Sequence, residues 1–186
     1  MIKTLLCISL MTIMGLPAIA QVKNEYIKAS HIEGQYIDNK NGIITDVVNE
    51  LMWSRCSLAI GQSFTDVDCT AQTHFSTWES ALKAVEYFND ADDTTYVNDS
   101  GFNDWRLPNI KELSSLVARS YAKPTINLVL FPSTPSVPYW SNTFNTMDIY
   151  SDPGIKGLLI DFEHGSDVIN ERSNRLVRLV RDIPSQ

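Results

Sequence analysis

The chain has 186 residues, of which 44% are hydrophobic, and a formal net charge of −7 at neutral pH. This length fits one domain with a substantial hydrophobic core. Because 22 acidic side chains outnumber 15 basic ones, bulk charge argues against nucleic acid or another polyanion as a partner. A local basic patch remains open near the C-terminus, where four arginines lie close together: Arg172, Arg175, Arg178 and Arg181.

Residues 1–20 have the pattern of a secretory signal peptide. Lys3 supplies the positive start, an apolar stretch covers residues 5–16, and residues 18–20 (AIA) match a cleavage site. The apolar stretch is too short for a membrane span, and no second run of spanning length follows. We therefore expect an exported protein, in the periplasm or outside the cell, with no transmembrane segment after cleavage.

Two cysteines, Cys56 and Cys69, follow this leader. An oxidising compartment favours joining them in a disulfide, and closing so short a loop contributes about 3 kcal/mol by the chain-entropy argument. A redox role is much less favoured, because the pair lacks the C-x-x-C spacing. The polar loop between the two cysteines is expected to lie at the surface.

The next elements are a hairpin and a helix. After a lead-in segment over residues 21–33, turn residues between two apolar segments predict a hairpin over residues 34–45. A turn and a short strand ending at Trp53 follow it. A helix is predicted over residues 75–89, where Ser76 and Glu79 fit a capping box. One helical stripe supports it: Trp78, Ala81, Leu82, Val85 and Phe88.

A short motif in the middle of the chain predicts a strand end, a corner and a second helix. Its residues are Asp104, Trp105, Arg106, Leu107, Pro108, Asn109 and Glu112. Asn109 fits a helix N-cap, and Glu112 can reach back to the Asn109 N–H as in a capping box. The helix is expected to end near Ser120. Arg106 is expected to be a structural arginine that bonds Asp104 or a carbonyl.

The last third of the chain is predicted to be β-structure. A proline-rich loop over residues 132–138 precedes a short strand at residues 139–141. Alternation over residues 156–163 predicts a half-buried strand, and residues 174–183 a final one. Strands, two helices and then further strands predict an α+β fold.

Six blocks in this order resemble the DUF1566 family, also called the Lcl C-terminal domain. They lie at residues 38–46, 51–53, 77–82, 104–109, 124–143 and 160–181. The resemblance covers a domain over residues 34–184 and implies a C-type lectin-like fold, with two helices packed on a small twisted antiparallel sheet. Many relatives carry cysteines at the positions of Val85 and Leu179, so we expect these side chains to pack together here.

An acidic loop offers weak candidates for a calcium site, namely Asp90, Asp92 and Asp93. Oxygen ligands are abundant there, but the sugar-site triplets of C-type lectins are missing. A solvated loop is the favoured interpretation. We expect no metal and no other cofactor, with Ca²⁺ as the alternative.

Asp161 and Glu163 are predicted to share one strand face, with His164 adjacent. Paired carboxylates serve glycosidases, but no nucleophile elbow or zinc spacing accompanies them. Polar residues on a solvent-facing strand are the favoured interpretation, and we expect no catalytic residues. A place in the core is the favoured interpretation for the large aromatic side chains. Trp140, which borders the proline-rich loop, is the candidate among them for a surface binding role.

These features favour an exported, non-enzymatic binding or adhesion domain of the bacterial cell envelope or exterior, with extracellular glycans as the expected ligand class. The family's adhesin relative suggests a sulfated polysaccharide, which the acidic balance of this chain opposes. A structural or accessory envelope protein that binds another protein through the loop over residues 132–138 is the alternative. A glycan hydrolase that uses Asp161 and Glu163 is a remote third. The sequence leaves the oligomeric state open.

Overall fold

The computed structural model describes residues 21–146, 157–168 and 175–184. The predicted signal peptide, the last two residues and Arg172 lie outside these ranges. The described elements are, in chain order, β1 (Val22–Lys23), β2 (Tyr36–Asp38), β3 (Ile43–Asp46), β4 (Leu51–Ser54), α1 (Trp78–Asn89), α2 (Ile110–Ser115), β5 (Tyr121–Ala122), β6 (Pro138–Phe144), β7 (Gly157–Asp161), β8 (Ser166–Val168) and β9 (Val180–Asp182).

The strands form three antiparallel sheets in the described ranges, with the orders β1-β5, β2-β3-β4-β9 and β6-β7-β8. This confirms the α+β class, the two helices and the disulfide. The single small sheet that we expected is divided. An isolated parallel bridge from Tyr139 to Leu176 connects the closing segment (residues 175–184) to β6. The bridge does not extend into a ladder, so the two larger sheets stay separate.

The hairpin of β2 and β3 has the predicted position, and Tyr36 pairs with Asp46 at its open end. Gly42 occupies its turn with a φ of +82°, a conformation that L-residues rarely adopt. A Cβ at this position would lie 2.2 Å from the carbonyl oxygen of Phe64. Gly42 is therefore required both by the turn and by the loop that packs on it.

Helix α1 begins three residues later than predicted. Thr77 is its N-cap and accepts a hydrogen bond from the Ser80 N–H at 3.1 Å, so the predicted Ser76–Glu79 capping box is wrong. Phe75 lies before the helix, because the backbone of Thr77 is extended, with φ −126° and ψ 152°. The Phe75 N–H donates to the Arg175 carbonyl in the closing segment. Leu82 is exposed on the helix surface, and Ala84 takes its place in the buried stripe.

Helix α2 has the predicted start and an earlier end. Asn109 accepts from the N–H groups of Lys111 and Glu112, each at 2.9 Å. Glu112 accepts from the Asn109 N–H at 2.7 Å, which confirms the capping box. The helix ends at Ser115, because the Ala118 N–H donates to the Thr125 carbonyl at 2.8 Å and cannot continue the helical pattern to Ser120.

The buried side chains form two clusters, and β7 contributes to both. Leu159 belongs to the first cluster, which contains the buried face of α1. Ile160 belongs to the second cluster, which contains Leu113 of α2. The predicted half-buried alternation is therefore wrong for β7, because this strand is covered on both faces. Val85 and Leu179 are both buried in the first cluster.

The Cys56–Cys69 disulfide is present as predicted, but its loop is only partly at the surface. Leu58 and Phe64 belong to the first core cluster. The Leu58 N–H donates to the Val177 carbonyl at 2.8 Å, which draws the loop onto the closing segment. The disulfide therefore fixes a loop that supplies core side chains.

The predicted basic patch is wrong for the three arginines that the structure describes. Arg175, Arg178 and Arg181 are exposed by only 6%, 0% and 5%. Their guanidinium groups stack on rings of Trp140, Phe131 and Phe102. These arginines therefore join the closing segment to the core, and their charge is not displayed at the surface.

None of the helices in the described ranges has the length and apolarity that crossing a membrane requires.

Candidate binding cleft

The structure contains a surface cleft of about 730 Å³ between the lead-in segment, α2 and the β7–β8 turn. This volume lies in the range of small-ligand sites. Its lining consists of Ser30, His31, Ile32, Gln35, Val48, Asn49, Ile110, Lys111, Ser114, Ser115, Val117, Arg119, Ile160, Gly165, Ser166 and Asp167. The cleft therefore collects side chains from five separate parts of the chain.

One part of the lining is fixed by the buried carboxylate of Asp46, at the end of β3. Its oxygens accept hydrogen bonds from the side-chain amides of Gln35 at 3.2 Å and Asn49 at 2.7 Å. They also accept from the backbone N–H groups of Val48 and Asn49. A carboxylate with this many donors holds both amide side chains in place. Gln35 and Asn49 are therefore preorganised at the cleft.

The lead-in segment is held against α2 by a second set of contacts. His31 Nε2 lies 2.8 Å from the carbonyl oxygen of Ser115, and its ring meets the Tyr36 ring edge-on with centroids 5.0 Å apart. Burial raises the pKa of the Tyr36 hydroxyl, and the Asp46 carboxylate raises it further. Tyr36 therefore stays protonated, and its hydroxyl points its proton to the Ser115 carbonyl at 3.5 Å.

The remaining lining comes from the turn between β7 and β8. Gly165 has a φ of +70°, and a Cβ there would lie 2.7 Å from Cγ1 of Val117. The turn is thus packed directly on the chain that leaves α2. Ser166 and Asp167 follow in β8, and both are exposed.

The lining combines polar and apolar surface and contains charges of both signs. Lys111 and Arg119 supply cations, and Asp167 supplies a carboxylate. Hydroxyl and amide groups outnumber the apolar side chains in the lining. Such a surface can donate and accept several hydrogen bonds at once, which suits a ligand with many hydroxyl groups.

The central motif lies at the start of α2 and acts as a scaffold. Arg106 forms two hydrogen bonds to Glu112, at 2.8 and 3.0 Å, and one to Asp182 at 2.6 Å. Arg106 also donates to the Leu107 carbonyl at 3.5 Å, so the prediction of a structural arginine that bonds a carbonyl is confirmed. The Asp104 alternative is wrong, because Asp104 pairs with Arg181. Arg106 thus links Glu112 in α2 to Asp182 in β9. Asp104 links the segment before α2 to Arg181 in β9.

The other members of the motif are buried or bonded to neighbouring segments. Trp105 and Leu107 lie in the first core cluster. The Trp105 indole N–H donates to Ser100 Oγ at 2.9 Å. The carbonyl of Pro108 accepts from the Asn142 N–H at 2.8 Å in β6. The motif therefore positions α2, which in turn supplies one side of the cleft.

Comparison with protein-family models matches residues 42–181 to the Lcl C-terminal domain. The chain belongs to the Lcl C-terminal domain family. This agrees with the family predicted from the sequence blocks, and the match covers well over half of the chain. No curated protein and no solved structure gives a significant match to it.

In this Lcl C-terminal domain, Asp161 and Glu163 have carboxylate oxygens within 4.8 Å of each other, as expected, but they do not share a strand face. Asp161 ends β7 and is only 4% exposed. Its Oδ1 accepts from the Glu163 N–H at 2.8 Å, and its Oδ2 lies 3.3 Å from His164 Nδ1. Glu163 is in the following turn, with Oε1 3.3 Å from Lys123 Nζ. The expected solvent-facing strand is therefore wrong at Asp161, and neither carboxylate lines the cleft.

Trp140 is not a surface aromatic. Its side chain is 0% exposed, and its indole N–H donates to the Phe75 carbonyl at 3.0 Å. Arg175 covers its ring at 5.0 Å from the centroid. The proline-rich loop is itself drawn inward, because Thr134 is buried and accepts from Arg178 at 2.8 Å. Trp140 therefore serves the core, and its predicted role at the surface is wrong.

The aspartates of the acidic loop are engaged in local turns. Asp90 accepts from the Asp92 N–H at 2.9 Å, and Asp93 accepts from the Thr95 N–H at 2.7 Å. Among the described residues, the structure does not bring Asp90, Asp92 and Asp93 together as a group of ligands. Calcium binding in this loop stays an untested prediction.

The sequence prediction missed the cleft because its residues are scattered along the chain. One local signal was present: Asp46 precedes Asn49 by three residues, and both Val48 and Asn49 donate their N–H groups to it. This is the spacing of a capping aspartate. It predicts an ordered turn, but it does not tell which concave surface the turn will face.

Asp104→Asn is expected to reduce the difference between the free energies of unfolding of this Lcl C-terminal domain at neutral and at acid pH. Hydrogen bonding from Arg181 lowers the pKa of Asp104 below its ordinary value of 3.8. The ionised form is thus favoured in the folded state. The stability that the ion pair contributes is therefore complete above the ordinary pKa and is lost as the pH falls through the lowered pKa. The contribution is below about 1 kcal/mol, because the Asp104 side chain is 59% exposed.

Urea unfolding near neutral pH and at about pH 3 measures this difference. Asp92→Asn, in the exposed acidic loop, is the matched control. Equal acid destabilisation in Asp104→Asn and the unchanged protein would contradict the role of this ion pair.

Proposed function

We propose that this Lcl C-terminal domain is an exported, non-enzymatic binding domain that holds a segment of an extracellular glycan in the cleft. The observation that carries the proposal is the cleft itself, with about 730 Å³ of space lined by hydroxyl, amide and charged groups beside apolar side chains. Sugar hydroxyls both donate and accept hydrogen bonds, so a lining with both kinds of partner complements them. Adhesion to a glycan-coated surface is the biological role that such binding supports.

Two features support preorganised binding. Asp46 holds Gln35 and Asn49, so ligand binding does not have to order these side chains. The capped start of α2 places Lys111 and Ser114 on a short, fixed helix. A shallow polar site of this kind gains affinity from many weak contacts whose geometry is already set.

The surroundings of Asp161 and Glu163 favour a binding role over a hydrolytic one. Asp161 is buried and bonded within its own turn, and Glu163 is paired with Lys123. A glycosidase needs two carboxyl groups that flank a bound sugar, and neither of these lies in the cleft lining. We infer a non-catalytic domain on this basis.

The proposal also includes a C-type lectin-like fold and export from the cytoplasm. Two helices, antiparallel sheets and the family membership support the fold. The leader pattern and the Cys56–Cys69 disulfide support the location, because disulfides persist in oxidising compartments.

Binding to a glycan array, with and without calcium, tests the function. The unchanged protein is expected to bind at least one glycan class. Ser114→Trp fills the cleft from an exposed position on α2 and is expected to weaken that binding at least about tenfold, because a bulky ring displaces the ligand. Glu86→Trp, at an exposed position of α1 outside the cleft, is the matched control and is expected to bind normally.

Two results would contradict the proposal: an array with no binder in either condition, or equal binding by Ser114→Trp and the unchanged protein. A protein partner recovered from the cell envelope in the first case would favour the accessory-protein alternative.

A further inference from the structure

Three potential metal ligands, two carboxylates and one imidazole, meet where β7 turns into β8. Asp161 and Glu163 offer carboxylate oxygens, and His164 offers a ring nitrogen. Their ligand atoms all lie within 4.8 Å of one another, and in the described ranges no other group of three such side chains does so. This cluster lies outside the cleft lining and has no part in the proposed glycan binding.

The spacing of these groups fits a small transition metal ion. Zinc binds nitrogen and carboxylate oxygen at about 2.0 to 2.2 Å, which places two ligands of a tetrahedral site about 3.4 Å apart. Asp161 Oδ2 and His164 Nδ1 already stand 3.3 Å apart. A carboxylate oxygen of Glu163 lies within 4.8 Å of both and would be the third protein ligand.

The backbone of the turn is fixed before any ion arrives. Asp161 Oδ1 accepts from the Glu163 N–H, which leaves Oδ2 directed at His164. The Gly165 N–H donates to the Asp161 carbonyl at 2.8 Å, and Gly165 is packed on Val117. Hydrogen bonds that orient a ligating carboxylate strengthen metal binding. The Asp161 carboxylate is thus held in position by its own turn.

A cation already occupies the neighbourhood of the cluster. Lys123 Nζ lies 3.3 Å from Glu163 Oε1, on a side chain that is 69% exposed. A flexible, exposed ammonium group is displaced at little cost, whereas a divalent ion gains from both carboxylates at once. The side chain of His164 is 60% exposed, which gives an ion a path from solvent.

We propose that Asp161, Glu163 and His164 form a binding site for one divalent transition metal ion of the Zn²⁺ class, which displaces Lys123 from Glu163. The nitrogen donor and the small number of ligands favour this class over Ca²⁺, which takes six to eight oxygen ligands. Water completes the coordination, since the protein supplies three groups. The ion would cross-link the turn whose next residues, Ser166 and Asp167, line the cleft.

Titration of the chelator-treated protein, prepared without a histidine tag, tests this site. Zn²⁺ is followed by calorimetry and Co²⁺ by its visible absorption, which intensifies when the ion becomes four-coordinate. We expect one ion per chain. Glu163→Gln and His164→Ala are each expected to weaken binding at least about tenfold, because each removes one ligand.

Two further variants separate a specific site from general attraction of cations. Lys123→Met is expected to tighten binding, because it removes the competing ammonium group and keeps the length of the side chain. His74→Ala, which changes another exposed histidine, is expected to leave the affinity unchanged. Equal affinity in His164→Ala and the unchanged protein, or a Co²⁺ spectrum identical to that of the free aqueous ion, would overturn the proposal.

Discussion

Replacing Arg178 with alanine is expected to lower the free energy of unfolding by about 3 to 5 kcal/mol. The side chain is 0% exposed. One terminal nitrogen donates to the backbone carbonyls of Ser54 and Arg55, and the other to Thr134 Oγ1 at 2.8 Å. Alanine leaves these three acceptors without this donor, at a cost of about 1 to 3 kcal/mol for each buried group left unsatisfied, and it also opens a cavity.

Arg178 is buried among neutral partners. Its guanidinium lies 4.8 Å from the ring centroid of Phe131 and 5.7 Å from that of Tyr139. Burial lowers the pKa of Arg178 and also raises the pKa of the Tyr139 hydroxyl. Aromatic faces and carbonyl oxygens therefore stabilise this cation, as a carboxylate does in an ordinary ion pair. This arrangement depends on the planar fork of arginine, which lysine cannot reproduce.

Urea unfolding of a small variant series measures the effect. Arg178→Met keeps much of the volume and is expected to recover only the cavity part of the loss. Arg119→Ala, at an exposed position, is the control and should change stability by less than about 0.5 kcal/mol. A loss below about 1 kcal/mol in Arg178→Ala would contradict the structural role of this cation.

Removal of the Cys56–Cys69 disulfide is expected to lower stability by about 3 kcal/mol. The bond joins positions 13 residues apart. Most of its effect comes from reducing the number of conformations that the unfolded chain can adopt, because other contacts also hold the native loop. Asp99 accepts from the Ser63 hydroxyl and from the Phe64 N–H at 2.6 Å, and the Phe64 ring packs on Trp105 at 4.8 Å.

The disulfide effect is measured by urea unfolding with and without reductant. The double variant Cys56→Ser and Cys69→Ser is expected to match the reduced protein and to be insensitive to reductant. Since the loop carries Leu58 and Phe64 into the core, reduction is also expected to loosen the adjoining part of the first cluster. A change below about 1 kcal/mol on reduction would show that the loop does not need its cross-link.

The local elements of the fold could be predicted because their causes lie close together in the chain. The hairpin around Gly42 and the capping box of Asn109 and Glu112 each depend on residues within one turn. The disulfide followed from the two cysteines that remain after the leader. The start of α1 was misplaced because Ser76 and Thr77 are both suited to capping a helix, and the structure uses Thr77.

The long-range features could not be read from any local pattern. The burial of β7 on both faces depends on a second core cluster contributed by α2 and the neighbouring sheet. The interior position of Arg178 depends on carbonyl groups more than one hundred residues earlier in the chain. Trp140 looked like a surface residue beside a proline-rich loop, but that loop folds inward because Thr134 is a partner of Arg178.

The cleft could not be predicted from the sequence for the same reason. Asn49, Ser114 and Asp167 are ordinary polar residues where they stand in the chain, and only the fold brings them to one concave surface. Asp161 and Glu163 were noticed because they are close in sequence, yet the structure places both outside that surface.

Whether the cleft is the binding surface is tested by backbone amide chemical shifts, recorded during titration with the glycan that binds most strongly on the array. We expect the largest shifts at cleft residues such as Asn49, Ser114 and Asp167, and we expect Ser114→Trp to reduce them strongly at the same glycan concentration. Shifts concentrated instead on the loop over residues 132–138 or around α1, with the cleft residues unchanged, would contradict the proposed binding surface.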